Sequence, residues 1–593
     1  MNSIQQNLSS IRKWLAENDL DIFIIPHADE YLSEYIPPEN ERLAWATGFT
    51  GSAGMAIISR DTAAIFVDGR YTVQVKEQVD SSLYNILHIT DDPWMTWLKA
   101  NHKSDAKIGY DPRMHRANWK KATEKKLNGT LKLEAVTVNP IDLYWENRPK
   151  SVDDKAILLD QKYTGKSSLD KRLELGKVIS DNGCKAAFIT QLDSIAWLLN
   201  IRGTDVPCNP VLLSHGILYA DGAFDLFIPK TKIPDGFQEH VGENVQVFSP
   251  DNIQSRLRKL SSNKVQFDAA NSNVWAKNIL SNSNLLEIVE KDDPCSLPKA
   301  CKNEVEIAGM KKCHIRDAVA EITFLAWLDS EVDKGNLHDE GIVADKLDSL
   351  RAEQDNFRGI SFGTISAAGS NAAMCHYSHK NYDTPGKLEM DSVYLVDSGG
   401  QYLDGTTDIT RTVAIGSPSD FTKKAFTLVL KGHIALGSAQ FPEGIGGQHL
   451  DTLARQFLWH EGLDFDHGTG HGVGSYLNVH EGPHRIGKGS NNVPLREGMV
   501  VSNEPGYYEE GKFGIRIENL IFVKQVGEVD GKKLLGFENL TFVPIDTRLL
   551  DYSIMTHKEK DWLNAYHQEV LEKVGPHLEG EVLKWLEKAV KNI

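Results

Sequence analysis

The sequence predicts a mixed α/β (α+β) chain in which two related N-terminal domains precede a third that is rich in strands and glycines. Three observations carry this reading. An amphipathic helix followed by an apolar strand and further short strands occurs twice upstream of Asp292. A polar, proline-bearing segment, Asp292-Asp293-Pro294-Cys295-Ser296-Leu297-Pro298, then breaks the pattern as a domain linker does. Beyond it, five short segments built of glycine or strand formers each carry a carboxylate or an imidazole: Asp397, Asp408, His471, Glu504 and Glu518.

Taken in order, Ile4 to Asn18 has the apolar spacing of an amphipathic helix, and Ile22-Phe23-Ile24-Ile25 reads as a buried strand. Met55 to Ser59 and Ala63 to Val67 continue the sheet. After turn residues around Pro140 and Pro149 the order returns, with a helix over Ser167 to Ser180, a strand at Ala186 to Thr190, and strands near Val211 and Phe224. Trp45-Ala46-Thr47-Gly48 and the run Trp197 to Gly203 occupy matching places, the first copy carrying an insertion around Pro37 and Pro38. The third domain opens on a long helix that keeps Ile315, Val319, Ile322 and Ala326 on one face. The stretch Asp561 to Ile593 is helical, broken at Gly575-Pro576, and suited to pack on a partner subunit or on its own core. These patterns divide the chain into residues 1–150, 151–300, 301–550 and 551–593.

A chain of 593 residues exceeds what one hydrophobic core organises. No run approaches the ~18 apolar residues of a membrane span, so no membrane partner is expected. The start shows no basic region leading into an apolar stretch, and a cytoplasmic location is the expectation. Cysteines 184, 208, 295, 301, 313 and 375 form no C-x-x-C pair and read as reduced thiols. A formal net charge of -17 argues against a nucleic-acid partner and for a small or peptidic substrate.

Tyr394-Leu395-Val396-Asp397 reads as a strand ending in a carboxylate, and a hairpin through Gly399-Gly400 could set Asp397 opposite Asp408. Two such carboxylates repel unless a cation neutralises them. Period-two alternation puts Arg516 and Glu518 on one strand face and Ile515 and Ile517 on the other, with Arg516 able to orient the carboxylate. Pro505 fixes the backbone after Glu504, and the glycines from 468 to 474 allow close packing around His471. Four carboxylates and one imidazole can hold two divalent metal ions, which activate water and polarise a carbonyl; a hydrolase follows. Two motifs mislead. The glycines of 468 to 474 give no G-x-G-x-x-G, and His480-Glu481-Gly482-Pro483-His484 matches H-E-x-x-H but carries a helix-breaking Gly-Pro.

In these segments the sequence resembles the pita-bread metallopeptidases, and among them the long, three-domain Xaa-Pro aminopeptidase family. The likeness runs through Val396 to Gly400, Asp404 to Arg411, His467 to Gly474, Asn503 to Tyr508 and Gly514 to Asn519. Upstream it includes Gly48 to Gly54, Asp68-Gly69-Arg70-Tyr71 and Leu192 to Trp197. The resemblance implies two creatinase-like domains followed by a pita-bread catalytic domain. It implies that Asp397 binds one metal, His471 and Glu504 the other, and that Asp408 and Glu518 bridge both. Manganese is the expected ion, with zinc, cobalt and iron also suited to the donors. By the same resemblance, a metal-bridging hydroxide attacks the carbonyl before proline, Glu504 shuttles the proton, and His376 and His480 assist. His376, His467, His480, Arg70 and Arg516 are the expected substrate contacts. The expected substrates are peptides with proline second, and the expected assembly is a homodimer. A prolidase that cleaves dipeptides, or a non-catalytic peptide-binding module of the same fold, is the alternative.

Overall fold

Ser3 caps the first helix, Ile4–Glu17: its hydroxyl accepts from Gln6 N while the Gln6 side chain accepts from Ser3 N. Leu8, Ile11 and Leu15 then share the face that buries against a sheet. The computed structural model describes residues 3–260, 263–282 and 286–593. They form two units, Met1–Gln161 with Lys166–Ser296, and Lys162–Gly165 with Leu297–Ile593.

The first unit contains two six-stranded sheets. One is built from β1 (Ile22–Pro26), β2 (Met55–Ser59), β3 (Ala63–Val67), β4 (Asn85–His88), β5 (Lys107–Tyr110) and β6 (Lys132–Ala135), in the order β4-β3-β2-β1-β5-β6. β1 runs antiparallel to β2 and parallel to β5, so it lies at the centre, and Ile22 to Ile25 are buried on both faces. A short strand, β7 (Ile157–Leu158), comes next in the chain, then β8 (Ala186–Ile189) and β9 (Ile201–Arg202), which pairs with β7. The second sheet is completed by β10 (His215–Tyr219), β11 (Phe224–Phe227), β12 (Val245–Phe248), β13 (Lys264–Phe267) and β14 (Glu287–Glu290). Its order, β12-β11-β10-β8-β13-β14, repeats the first sheet strand for strand, as do its parallel and antiparallel pairings. The duplication is therefore one of topology as well as of motif. Val211 lies in the loop before β10 rather than in a strand, after Cys208 takes a left-handed turn at φ 65.

In the second unit Asn303 and Glu306 form a reciprocal cap on the long helix Glu304–Asp333. The strands that follow are β15 (Phe357–Ile360), β16 (Ile365–Ala368), β17 (Ser392–Ser398), β18 (Gly400–Tyr402), β19 (Gly405–Thr406) and β20 (Ile409–Ile415). Next come β21 (Phe441–Pro442), β22 (Gly470–Gly472), β23 (Glu481–Ile486), β24 (Val500–Asn503), β25 (Gly506–Glu509), β26 (Phe513–Arg516), β27 (Asn519–Val529) and β28 (Lys532–Asn539). They form the sheets β16-β17-β20 and β21-β28-β27-β24-β22-β23, with smaller ladders β15-β18-β19 and β25-β26. Thr556 and Glu559 cap the helix His557–Val574, a second helix covers Gly580–Ala589, and a turn at Gly575–His577 separates them. Leu563, Val570, Val574 and Leu586 of these helices join the core that holds Phe324 and Leu325. The C-terminal stretch thus packs on its own unit. Among the described residues no helix is long and apolar enough to cross a membrane.

Candidate metal centre

The pairing of β17 with β20 sets Thr410, not Asp408, opposite Asp397. The hairpin expected from the sequence is corrected here. Between the two strands the chain detours through β18 and β19, which join β15, so β17 and β20 resume pairing at Ser398 and Ile409. Asp408 sits just before that ladder and is 3% exposed. Burial first, then the charges of Glu518, Asp397 and Glu504, push its carboxyl well above the usual carboxylate range. Glu518, between β26 and β27, is 1% exposed and is raised in the same way by burial, Glu504 and Asp397.

β22 delivers His471 between β23 and β24, and glycine makes the approach possible: a Cβ on Gly470 would lie 2.0 Å from Ser502 O. His471 Nδ1 lies 2.9 Å from its neighbour's carbonyl at Gly472. Donation there sets the tautomer and turns Nε2 toward Asp408 Oδ2 and Glu504 Oε1, each at 3.5 Å. Ligand atoms of Asp408, His471 and Glu518 all lie within 4.8 Å of one another. Glu504, half-buried, accepts from Ser502 Oγ at 3.0 Å, and burial pushes it up to about 7 against the pull of Arg516.

Among the described residues, the guanidinium of Arg516 faces these four acids. Arg516 Nη2 donates to Asp397 Oδ2 at 2.6 Å, Nη1 to Tyr508 Oη at 2.6 Å, and Nε to Thr410 Oγ1 at 3.1 Å. Thr410 Oγ1 in turn donates to Glu518 Oε2 at 2.6 Å. Arg516 therefore holds Asp397 directly and reaches Glu518 only through Thr410. The sequence pointed to a link with Glu518, which runs through Thr410; the Arg516 side chain is 2% exposed. Asp397 Oδ1 and Glu518 Oε1 are buried and accept no hydrogen bond. Orphaned acid oxygens, mutual repulsion and a preset imidazole are what a site for two divalent cations requires, and the residues fit that group.

Of the other expected site residues, His467 lies with Nε2 2.7 Å from Tyr508 Oη and Nδ1 3.9 Å from Glu504 Oε2. The His480 ring is 4.3 Å from that of His471. His376 is half-buried, on a loop tied to Arg516 through the Cys375 carbonyl at 3.3 Å. Arg70 belongs to the first unit, where Asp68 at 2.8 Å and Glu34 at 3.3 Å hold its guanidinium. Three partners escaped the sequence reading: Tyr508, Thr410 and Ser502. Thr410 shares a strand face with Asp408 by alternation, which is the one signal that could have found it. The H-E-x-x-H match is a strand, not a helix: His480 precedes β23, and Glu481 is bound by Lys299 and Lys302.

Comparison with known proteins bears on the whole chain. Metallopeptidase family M24 matches residues 308–525, and the C-terminal region of that peptidase matches 533–593. Creatinase/prolidase N-terminal domains match 7–141 and 147–306. A protein of Botryotinia fuckeliana named "Probable Xaa-Pro aminopeptidase P" is 41% identical over 612 residues, covering 99% of this chain and 92% of its own. One of Sordaria macrospora with the same name is 40% identical over 606 residues, covering 98% of each. This chain belongs to the Xaa-Pro aminopeptidase P family. The solved X-prolyl aminopeptidase of Caenorhabditis elegans, described as a cytosolic enzyme with a di-nuclear active site, shares 34% identity at a TM-score of 0.95 and covers 100% of both chains. An Xaa-Pro dipeptidase of Bacillus anthracis, 21% identical at a TM-score of 0.51, covers 64% of this chain and shares the fold.

Proposed function

We propose that this protein hydrolyses the first peptide bond of chains whose second residue is proline, releasing the N-terminal residue, with two divalent cations at Asp397, Asp408, His471, Glu504 and Glu518. The observation that carries this is the gathering of three buried carboxylates, Asp397, Asp408 and Glu518, and the half-buried Glu504 around His471, with Arg516 on Asp397. Bound there, the cations supply water activation and Lewis acidity toward the scissile carbonyl. Asp408 and Glu518, the most deeply buried of these four acids, would hold the metals together with His471. Glu504 is read as the proton carrier. A carboxylate beside His471 that accepts from Ser502 can take a proton and return it to the departing secondary amine, which needs one. His480, beside His471, and His376, on the loop that Arg516 anchors, are read as donors to the developing oxyanion. His467, set by Tyr508, is read as a pocket wall. Arg70 and Arg516 are read as substrate contacts on the resemblance alone.

Four carboxylates and one imidazole form a hard donor set, which supports manganese ahead of zinc, cobalt or iron. Six free cysteines and the cytosolic C. elegans relative support a cytoplasmic location. The homodimer now rests on the resemblance, since the C-terminal helices spend their apolar face on their own core. The repeated sheets and the family matches support domain limits at 1–150, 151–300, 301–550 and 551–593. The deciding assay is product analysis with Mn²⁺ over Xaa-Pro dipeptides, tripeptides and longer peptides. Release of arginine from Arg-Pro-Pro is expected; an intact peptide at every length sinks the reading, and cleavage of dipeptides alone turns it to a prolidase.

A further inference from the structure

The helix His557–Val574 lies beyond all the metal-bearing strands in sequence, yet it stands behind two of the five ligands. Its Tyr566 Oη is 3.0 Å from Arg411 Nη2 and donates to the Val543 carbonyl at 2.9 Å. Arg411 Nη1 donates to the carbonyl of Glu518 at 2.6 Å and to that of Thr410 at 2.9 Å. The remaining donors of Arg411 end on Asn519 Oδ1 at 2.8 Å and on the carbonyls of Val543 and Pro544. Arg411 is 2% exposed, and among the described residues no carboxylate is among its hydrogen-bond partners. A guanidinium fork spread over the backbone around Glu518 fixes where that ligand begins. Tyr566 closes the fork.

A second route leaves the same helix one turn earlier. The Trp562 ring stacks on Tyr566, with centroids 5.4 Å apart and planes within 5°. It lies edge-on to His433 at 6.1 Å. His433 Nδ1 is 3.1 Å from the carbonyl of Asn503, and Asn503 Nδ2 donates back to the His433 carbonyl at 2.9 Å. Asn503 precedes Glu504. Side chains behind metal ligands set their orientation and affinity.

We propose that the C-terminal helix is a positioning element of the metal centre, with Tyr566, through Arg411, and Trp562, through His433, setting the backbone of Glu518 and Glu504. This rests on the reading of those two residues as ligands. Tyr566→Phe keeps the ring and removes only the hydroxyl. It is expected to weaken Mn²⁺ binding by about ten-fold in calorimetric titration, and to lose Mn²⁺ on dialysis. KM for Arg-Pro-Pro stays as in the wild type, and kcat recovers as Mn²⁺ is added in excess. Trp562→Leu tests the second route by the same titration, should Tyr566→Phe fold poorly. Leu586→Ala, a core truncation in the same extension without a route to a ligand, is expected to lower the melting temperature and bind Mn²⁺ as the wild type does. Wild-type Mn²⁺ affinity in both Tyr566→Phe and Trp562→Leu, or equal loss in Leu586→Ala, overturns the proposal. If the wild type binds Mn²⁺ but cleaves no Xaa-Pro peptide while Tyr566→Phe still loses the metal, the peptidase reading fails and the positioning role stands.

Discussion

Glu481 and Glu518 are both buried acids of the same unit, and the chain treats them in opposite ways. Burial drives Glu481 upward, but Lys299, at 2.9 Å from Oε1, and Lys302, on Oε2, outweigh it and hold its carboxyl below the usual range. Glu518 meets Asp408, Glu504 and Asp397 with one shared arginine, and ends well above that range. Two cations for one acid make a structural pin; four acids beside one arginine leave a deficit that protonation or a bound cation relieves. The same contrast explains the misleading H-E-x-x-H. Its glutamate, the residue that would have to serve as base, is already neutralised.

The contrast is broken or sharpened by experiment, the largest effect first. Asp408→Asn is expected to bring turnover of Arg-Pro-Pro to background and to lower bound metal in elemental analysis. After chelator stripping, the same variant should be at least as stable to urea as the stripped wild type, because one of four crowded charges is gone. A clear loss of stability in the stripped variant would make the cluster structural. Lys302→Met inverts the pattern. Removing one of the two lysines leaves Glu481 Oε2 without its donor and Lys299 as the sole counter-charge, and should cost about 1–3 kcal/mol in urea unfolding while metal content stays at the wild-type value. Unchanged stability would show that Glu481 is not a pin.

The smallest effect concerns imidazoles buried with no acid bonded to them. Burial pushes His314 and His567 down to about 4, the latter helped by Arg411. Unfolded histidine titrates near 6.5, so between these values the unfolded chain binds the proton and the folded one does not. Their contribution is present above about pH 6.5 and is lost as pH falls toward about 4. His567→Gln should therefore narrow the difference between urea midpoints measured at about pH 7.5 and about pH 5. A difference as wide as that of the wild type would remove His567 from the account.

Much of this was legible along the chain. Ile22 to Ile25 read as a strand, and Gly575-Pro576 as the break in the C-terminal helices where the turn Gly575–His577 stands. The five proposed ligands were visible because each sits in a short segment marked by glycine, proline or strand formers. Thr410, Ser502 and Tyr508 were not, since a threonine, serine or tyrosine in a strand has many innocent explanations until its partner is known. The Asp397 register failed for a similar reason. Counting along the chain assumes one continuous hairpin, whereas β18 and β19 leave to pair elsewhere.

From the sequence alone follow the doubled N-terminal domains, the strand-rich third domain, the metal-binding residue types and the disqualified zinc-helix motif. All of these depend on local period, turn chemistry and the few side chains that can ligate a hard cation. Only the tertiary structure decided that Arg516 serves Asp397, that Lys299 and Lys302 close off Glu481, and that a helix near the C-terminus stands behind Glu504 and Glu518. Arg411 and Tyr566, like Arg516 and Asp397, are more than a hundred residues apart. Which of two distant polar groups will meet is set by the packing of every element between them, and no pattern within one segment carries that information.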